Sequence, residues 1–198
     1  MDNFKLLTSP FWVNFLILVP FVLFFYYRKN RLSITRKTLL YLLIFGIAFG
    51  VIEATCVIYL RAATGMLPGF EGNIFDVWRM SKEIAYSQEA LREGLPMSLL
   101  SFELIREAGT IIMLGMIAFI AASKWRERIA IFLWAFAVWD IVYYFHLWLM
   151  VRWPQSLTTP DVLFLIPQPW LGQIWFPLLI SGLTMLVVFI SLKKEIKK

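Results

Sequence analysis

Residues 102–110, FELIREAGT, lead into the apolar run IIMLGMIAFIAA at 111–122. Glu103, Arg106 and Glu107 bring three ionisable groups into five residues, near the start of a segment that is otherwise apolar enough to span a membrane. Such groups are rare in spanning helices, because each unpaired charge at the bilayer centre costs at least about 2.5 kcal/mol. The stretch therefore predicts a transmembrane helix with one polar face.

The composition of the chain predicts a membrane protein. Of its 198 residues, 60% are hydrophobic and 16% are charged, and the mean hydropathy is +0.73. Soluble domains are about 45–50% apolar, and one of this size cannot hide more. The single cysteine excludes an internal disulfide, and the single histidine excludes bis-histidine haem ligation within one chain.

Five apolar stretches predict membrane-spanning helices, since about 20 residues cross the hydrocarbon core of a bilayer. The expected fold is all-α, with one transmembrane domain over residues 1–198 and short interfacial helices in the outer loops. The first stretch contains Pro20, so its ends are hardest to define. The predicted spans are residues 11–27, 38–60, 97–122, 129–150 and 171–192.

Two outer loops carry signals for short helices. In the first loop, SQEALREG at residues 87–94 has a serine N-cap and a glycine after its last turn. In the second loop, residues 151–170, Thr159 and Pro160 are suited to the N-cap and first position of a helix. We expect this proline-rich segment to lie on or dip into the outer interface as a lid.

The distribution of Lys and Arg predicts that the N-terminus lies outside and the C-terminus inside. Residues 28–37, 123–128 and 193–198 hold twelve of the 19 basic residues, and the outer segments hold six. Basic residues favour the cytoplasmic side, and a bacterial inner membrane is the default location. The lipid bilayer is the expected partner, with other membrane subunits or a second copy as further partners. Nucleic acid is not expected, because the net charge of +6 is spread between apolar segments.

Three predicted helices place polar groups at matching depth in the outer half of the bilayer. Glu103, Arg106 and Glu107 share one face of the third helix, because their spacing matches the helical repeat. Gly46 and Gly50 precede the acidic residue of the second helix and allow another helix to approach closely. The predicted outward-facing polar site consists of Glu53, Glu103, Arg106, Glu107, Asp140, Tyr143 and His146.

This site has three interpretations, and none of them identifies a catalytic residue. In the first, a structural network of ion pairs and hydrogen bonds joins the helices, as in an accessory subunit of a membrane complex. In the second, a membrane enzyme binds Fe, Mn or Zn, because carboxylates with one imidazole suit these metals. In the third, the site takes a proton, a lipid or a quinone-like molecule. The metal ligands would be Glu53, Glu103, Glu107, Asp140 and His146.

Three segments resemble motifs of an uncharacterised family of small bacterial multipass membrane proteins. They are FELIREAGTIIML at 102–114, WDIVYYFHLWL at 139–149 and WPQSLTTPDVLFLIPQPW at 153–170. The resemblance covers the predicted third to fifth helices. It implies a recurring membrane fold and no particular activity.

Overall fold

The structure, a computed structural model, describes residues 4–63 and 97–193. The predicted helix at residues 87–94 and the end of the basic tail, residues 194–198, lie outside these ranges. The described elements are a 3₁₀-helix Phe11–Leu18, α1 Val19–Lys29, α2 Arg36–Ala63, α3 Met97–Ala121, α4 Trp125–Val151, β1 Pro160–Phe164, β2 Trp170–Gln173 and α5 Trp175–Ile190.

Four helices are long and apolar enough to cross a membrane. They run over Phe11–Lys29, Arg36–Leu60, Ser101–Ala121 and Trp125–Val151. The prediction of a mostly helical, membrane-type protein is therefore confirmed. The fifth apolar helix, α5, has 16 residues and is about 24 Å long at 1.5 Å per residue. It is shorter than the predicted span because the first residues of that stretch belong to β2.

The first span changes its helix type at Val19. Phe11–Leu18 is a 3₁₀-helix, and the α-helix begins one residue before Pro20. Proline fits there because the first turn of an α-helix leaves its backbone N–H groups without intrahelical partners. The proline that made this span hard to define therefore marks the start of its α-helical part.

Helix α4 is the centre of the bundle and packs against α2, α3 and α5. The α2–α4 contact is close because Gly46 and Gly50 have no side chains. A Cβ on Gly46 would lie 2.7 Å from Cγ1 of Val138, and one on Gly50 would lie 3.0 Å from the carbonyl oxygen of Trp139. The glycine spacing therefore serves helix packing, as the sequence indicated.

The all-α prediction is wrong for the segment that follows α4, where β1 and β2 form an antiparallel hairpin. The short helix expected from Thr159 and Pro160 does not form. Pro167 and Pro169 remove backbone donors that a longer helix would need, and the intervening VLFLI run favours extended structure. Asp161, which would lie in the first turn of such a helix, instead accepts a hydrogen bond from Tyr144 of α4.

The hairpin reaches into the bundle. Phe164 packs in one apolar cluster with Phe49, Leu114, Ala135 and other buried side chains. Ala135 lies sixteen residues before the end of α4, which is about 24 Å along the helix. The hairpin formed by β1 and β2 is therefore inserted between the helices.

Backbone hydrogen bonds join the first and last described segments at both ends of the bundle. At the hairpin end, Ser9 and Leu171 donate to each other's carbonyl oxygens, at 2.8 and 2.6 Å. At the other end, the N–H of Leu32 donates to Ser191 and the N–H of Lys193 donates to Leu32, at 2.9 and 3.0 Å. These backbone hydrogen bonds therefore hold the two ends of the first span against β2 and against the end of α5.

Candidate functional site

Arg106 joins α3 to α2 through two acidic side chains. Its guanidinium forms an ion pair with Glu53 of α2, and it also donates to Oε2 of Glu103 from Nε at 3.1 Å and from a terminal nitrogen at 2.8 Å. The side chains are mostly buried, with 19% of Arg106 and 8% of Glu53 exposed. This ion pair links two helices that make little backbone contact with each other.

Glu107 faces the hairpin. Both of its carboxylate oxygens lie 2.9 Å from the backbone nitrogen of Leu165, which donates to them from the turn between β1 and β2. A part-buried backbone donor that is left without an acceptor would be costly. Glu107 therefore supplies the acceptor that the turn of the hairpin requires.

Asp161 lies at the start of β1 and contacts α4. The hydroxyl of Tyr144 donates to Oδ2 of Asp161 at 2.9 Å, and the backbone N–H of Val162 donates to Oδ1 at 2.8 Å. The sequence interpretation did not include Asp161 in the site because it assigned this residue to a loop helix. The signal available was an acidic residue directly before an apolar run.

Asp140 joins α4 to α5. Its Oδ2 accepts a hydrogen bond from the hydroxyl of Ser181 at 2.8 Å, and both residues are buried. Ser181 was also missed, because one serine in an apolar helix is a weak signal. Asp140 therefore links the central helix of the bundle to its last described helix.

The predicted site residues are brought together only in part. A small polar cavity of about 40 Å³ is bordered by Arg106, Glu107, Asp140 and Tyr143, together with the missed Asp161. Glu53 and Glu103 contact this group through Arg106. His146 is half-buried and does not border the cavity.

The arrangement gives no support to the metal interpretation. Within residues 4–63 and 97–193, no three His, Cys, Asp or Glu side chains are grouped so that they could hold a metal ion. The physical reason is that four of the five expected ligands have other partners: Arg106 holds Glu53 and Glu103, the turn of the hairpin holds Glu107, and Ser181 holds Asp140.

A larger, apolar cavity of about 200 Å³ lies next to the polar cavity, between the 3₁₀-helix, α4, the hairpin and α5. Asp140, Ser181 and Thr184 are its polar border. Two indole rings, those of Trp139 and Trp170, also border it, and their buried Nε1 atoms have no hydrogen-bond partner in the described part of the chain. The remaining lining residues are Leu16, Val19, Phe132, Leu133, Phe136, Ala137, Leu163, Phe164, Pro177 and Ile180.

Comparison with protein-family models, curated proteins and solved structures gives no match for this chain. The resemblance of its three motifs to a bacterial membrane family therefore stays a prediction.

Proposed function

We propose that this chain is an integral membrane protein whose buried polar groups are structural and whose apolar cavity binds a lipid-like or quinone-like molecule. The ligand would carry a hydrogen-bond acceptor such as a carbonyl group. The observation that carries this proposal is the apolar cavity itself, which is bordered by the indole rings of Trp139 and Trp170 and by the hydroxyl residues Ser181 and Thr184.

The structural role of the polar groups rests on their partners. The described residues include five buried acidic side chains, and each accepts a hydrogen bond from the chain itself. Removing a buried group's partner costs about 1–3 kcal/mol, so these bonds favour a single arrangement of helices and hairpin. The five acidic residues are Glu53, Glu103, Glu107, Asp140 and Asp161.

The ligand-binding role rests on the chemistry of the apolar cavity. Pockets for small molecules are mostly apolar, with a few polar groups that orient the ligand. A volume of about 200 Å³ accommodates a ring or a segment of an acyl chain. The indole N–H groups of Trp139 and Trp170 are donors without a partner in the described part of the chain, so a ligand atom that reached them would be an acceptor. The hydroxyls of Ser181 and Thr184 add further polar contacts at the same border.

The test compares two Leu→Trp variants. Leu133 borders the cavity, whereas Leu186 is 55% exposed and does not border it. Each purified protein is extracted with organic solvent, and the extract is analysed by mass spectrometry. We expect one carbonyl-containing molecule with wild type and with Leu186→Trp, and its loss with Leu133→Trp. Identical extracts from all three proteins would reject the ligand-binding role.

For the membrane arrangement we propose five spans, including α5, with the N-terminus and the hairpin on the outer side of a bacterial inner membrane. The excess of Lys and Arg at the opposite end supports this orientation. The test uses Lys5→Cys and Lys193→Cys in a Cys56→Ser background, with a thiol reagent that does not cross the membrane. Labelling of Lys5→Cys alone in intact cells supports the proposal, and the reverse pattern contradicts it.

The second candidate function is an accessory subunit of a membrane complex. The observation that favours it is the broad apolar surface of α3, which packs mainly against α4. Ile105 is 70% exposed and Ile120 is 82% exposed on this helix. Native electrophoresis after extraction in a mild detergent tests this candidate. A larger complex that Ile120→Arg disrupts would support it, whereas a single small species would not.

A further inference from the structure

A second polar cavity, of about 390 Å³, lies at the end of the bundle opposite the hairpin. It is formed where α1 and α5 end and where α4 begins. Five of its nine lining residues are basic, and one is acidic. We call it the basic cavity, and its lining residues are Lys29, Asn30, Arg31, Leu32, Ser33, Lys124, Arg126, Glu127 and Lys193.

Hydrogen bonds between distant parts of the chain hold the walls of the basic cavity together. The bridge between Leu32 and the end of α5 positions Lys193 beside the α1–α2 connection. On the other side, the hydroxyl of Tyr27 donates to the carbonyl oxygen of Arg126 at 3.0 Å, and the guanidinium of Arg126 donates to Asn30. The cavity is therefore built by the fold and is not a chance grouping of flexible side chains.

In the described part of the chain, the lining of the basic cavity carries an excess of positive charge, with five basic side chains and one acidic side chain. Within the described ranges, none of its Lys or Arg side chains forms an ion pair. The carboxylate of Glu127 already accepts a hydrogen bond from the backbone N–H of Ser33 at 3.3 Å. Clustered ammonium and guanidinium groups recognise phosphate through charge-assisted hydrogen bonds. The chemistry of the cavity therefore matches an anion with several acceptor oxygens.

We propose that the basic cavity binds the phosphate group of an anionic phospholipid. Basic cavities at the cytoplasmic ends of spanning helices bind lipid headgroups, and this cavity lies at the ends of three apolar helices. Large apolar side chains are exposed on the adjoining helix surfaces, where acyl chains would pack: Phe25 and Trp125 are each 64% exposed and Ile190 is 43% exposed. This site is independent of the apolar cavity and of its proposed ligand.

The test removes two positive charges inside the basic cavity and, as a control, two charges outside it. Lys124→Gln/Lys193→Gln changes the lining, whereas Arg28→Gln/Lys37→Gln changes basic residues at the same end that do not line it. Native mass spectrometry measures bound phosphatidylglycerol, with phosphatidylcholine as the zwitterionic comparison. We expect the cavity variant to bind phosphatidylglycerol at least about fivefold less than wild type, and the control to change by less than about twofold.

Two further measurements distinguish the source of the phosphate and keep the test decisive. Wild type is purified in phosphate-free detergent, and its melting temperature is recorded there before and after inorganic phosphate alone is added. Stabilisation by phosphate without any preference for phosphatidylglycerol would mean that the basic cavity binds a soluble anion and not a lipid. Wild type that binds both lipids equally and is not stabilised by phosphate would overturn the proposal, as would equal loss in the two double variants.

Discussion

The carboxylate of Glu107 on α3 accepts a hydrogen bond from the backbone N–H of Leu165, which lies 58 residues further along the chain. Both carboxylate oxygens are 2.9 Å from the nitrogen. This contact connects a spanning helix to the turn of a hairpin inside the bundle. In the sequence, Glu107 is a polar interruption of an apolar helix. In the structure, its carboxylate accepts a hydrogen bond from non-helical backbone.

Replacing Glu107 by Ala should loosen the hairpin selectively. A hydrogen bond to a charged group contributes about 1.5–3 kcal/mol, and Glu107→Gln should cost less because its amide oxygen still accepts one bond. Hydrogen exchange of the peptide covering residues 160–173 measures the effect. Glu127→Ala is the matched control, since its carboxylate accepts a backbone N–H at the other end of the bundle. Equal exchange in both Ala variants would contradict the assigned contact.

Replacing Arg106 by Met should destabilise the protein strongly, by about 3–5 kcal/mol, because Glu53 and Glu103 would remain buried without their cation. The triple variant with Glu53→Gln and Glu103→Gln should recover part of this loss. Denaturant unfolding in detergent micelles provides the comparison. A triple variant less stable than Arg106→Met alone would show that the acidic residues act independently of the arginine.

Replacing Tyr144 by Phe should remove the hydrogen bond that Asp161 accepts from the Tyr144 hydroxyl. The bond is 2.9 Å long and buried, so the expected cost is about 1–3 kcal/mol. For a chain of this length such a cost lowers the melting temperature by several degrees. Tyr59→Phe is the control, because Tyr59 is 57% exposed. Similar melting temperatures for the two variants would argue against the Tyr144–Asp161 contact.

Replacing Gly46 by Ala should separate α2 from α4, since the new Cβ would lie 2.7 Å from Val138. Overpacking of this kind costs about 1–3 kcal/mol. Gly115→Ala in α3 adds the same methyl group where nothing lies within 4 Å. The difference in melting temperature between the two variants isolates the close contact, and no difference would refute it.

Elemental analysis of protein purified without chelators should find no stoichiometric Fe, Mn or Zn. The reason is geometric, because Arg106 holds two of the expected ligands and the turn of the hairpin holds a third. A stoichiometric metal that is lost with Glu107→Gln would contradict this expectation and would support the metal interpretation.

Helical periodicity reveals the polar face of α3 because spacing along one helix is a local property. Glu103 and Glu107 are both buried on the same face, and the glycines of α2 form the close contact that their spacing indicates. Their partners are harder to predict. Whether Arg106 would bridge Glu53 or Asp140 depends on which helices are neighbours, and the structure pairs it with Glu53.

The hairpin could not be predicted because its stability comes from distant parts of the chain. Thr159, Pro160 and Asp161 form a favourable helix start when considered alone. In the structure, however, Tyr144 and Glu107 bind the segment from two different helices. A turn motif cannot report such contacts, and therefore Asp161 was absent from the predicted site.

The backbone bridges from Ser9 to Leu171 and from Leu32 to Leu192 have a consequence for biogenesis. A ribosome makes Ser9 and Leu32 long before their partners, so α1 enters the bilayer without the strand and helix end that later bind it. In the completed bundle, β2 holds the segment before the first span and the end of α5 holds the segment after it. Membrane insertion of the first span and the formation of these two bridges are thus separated in time.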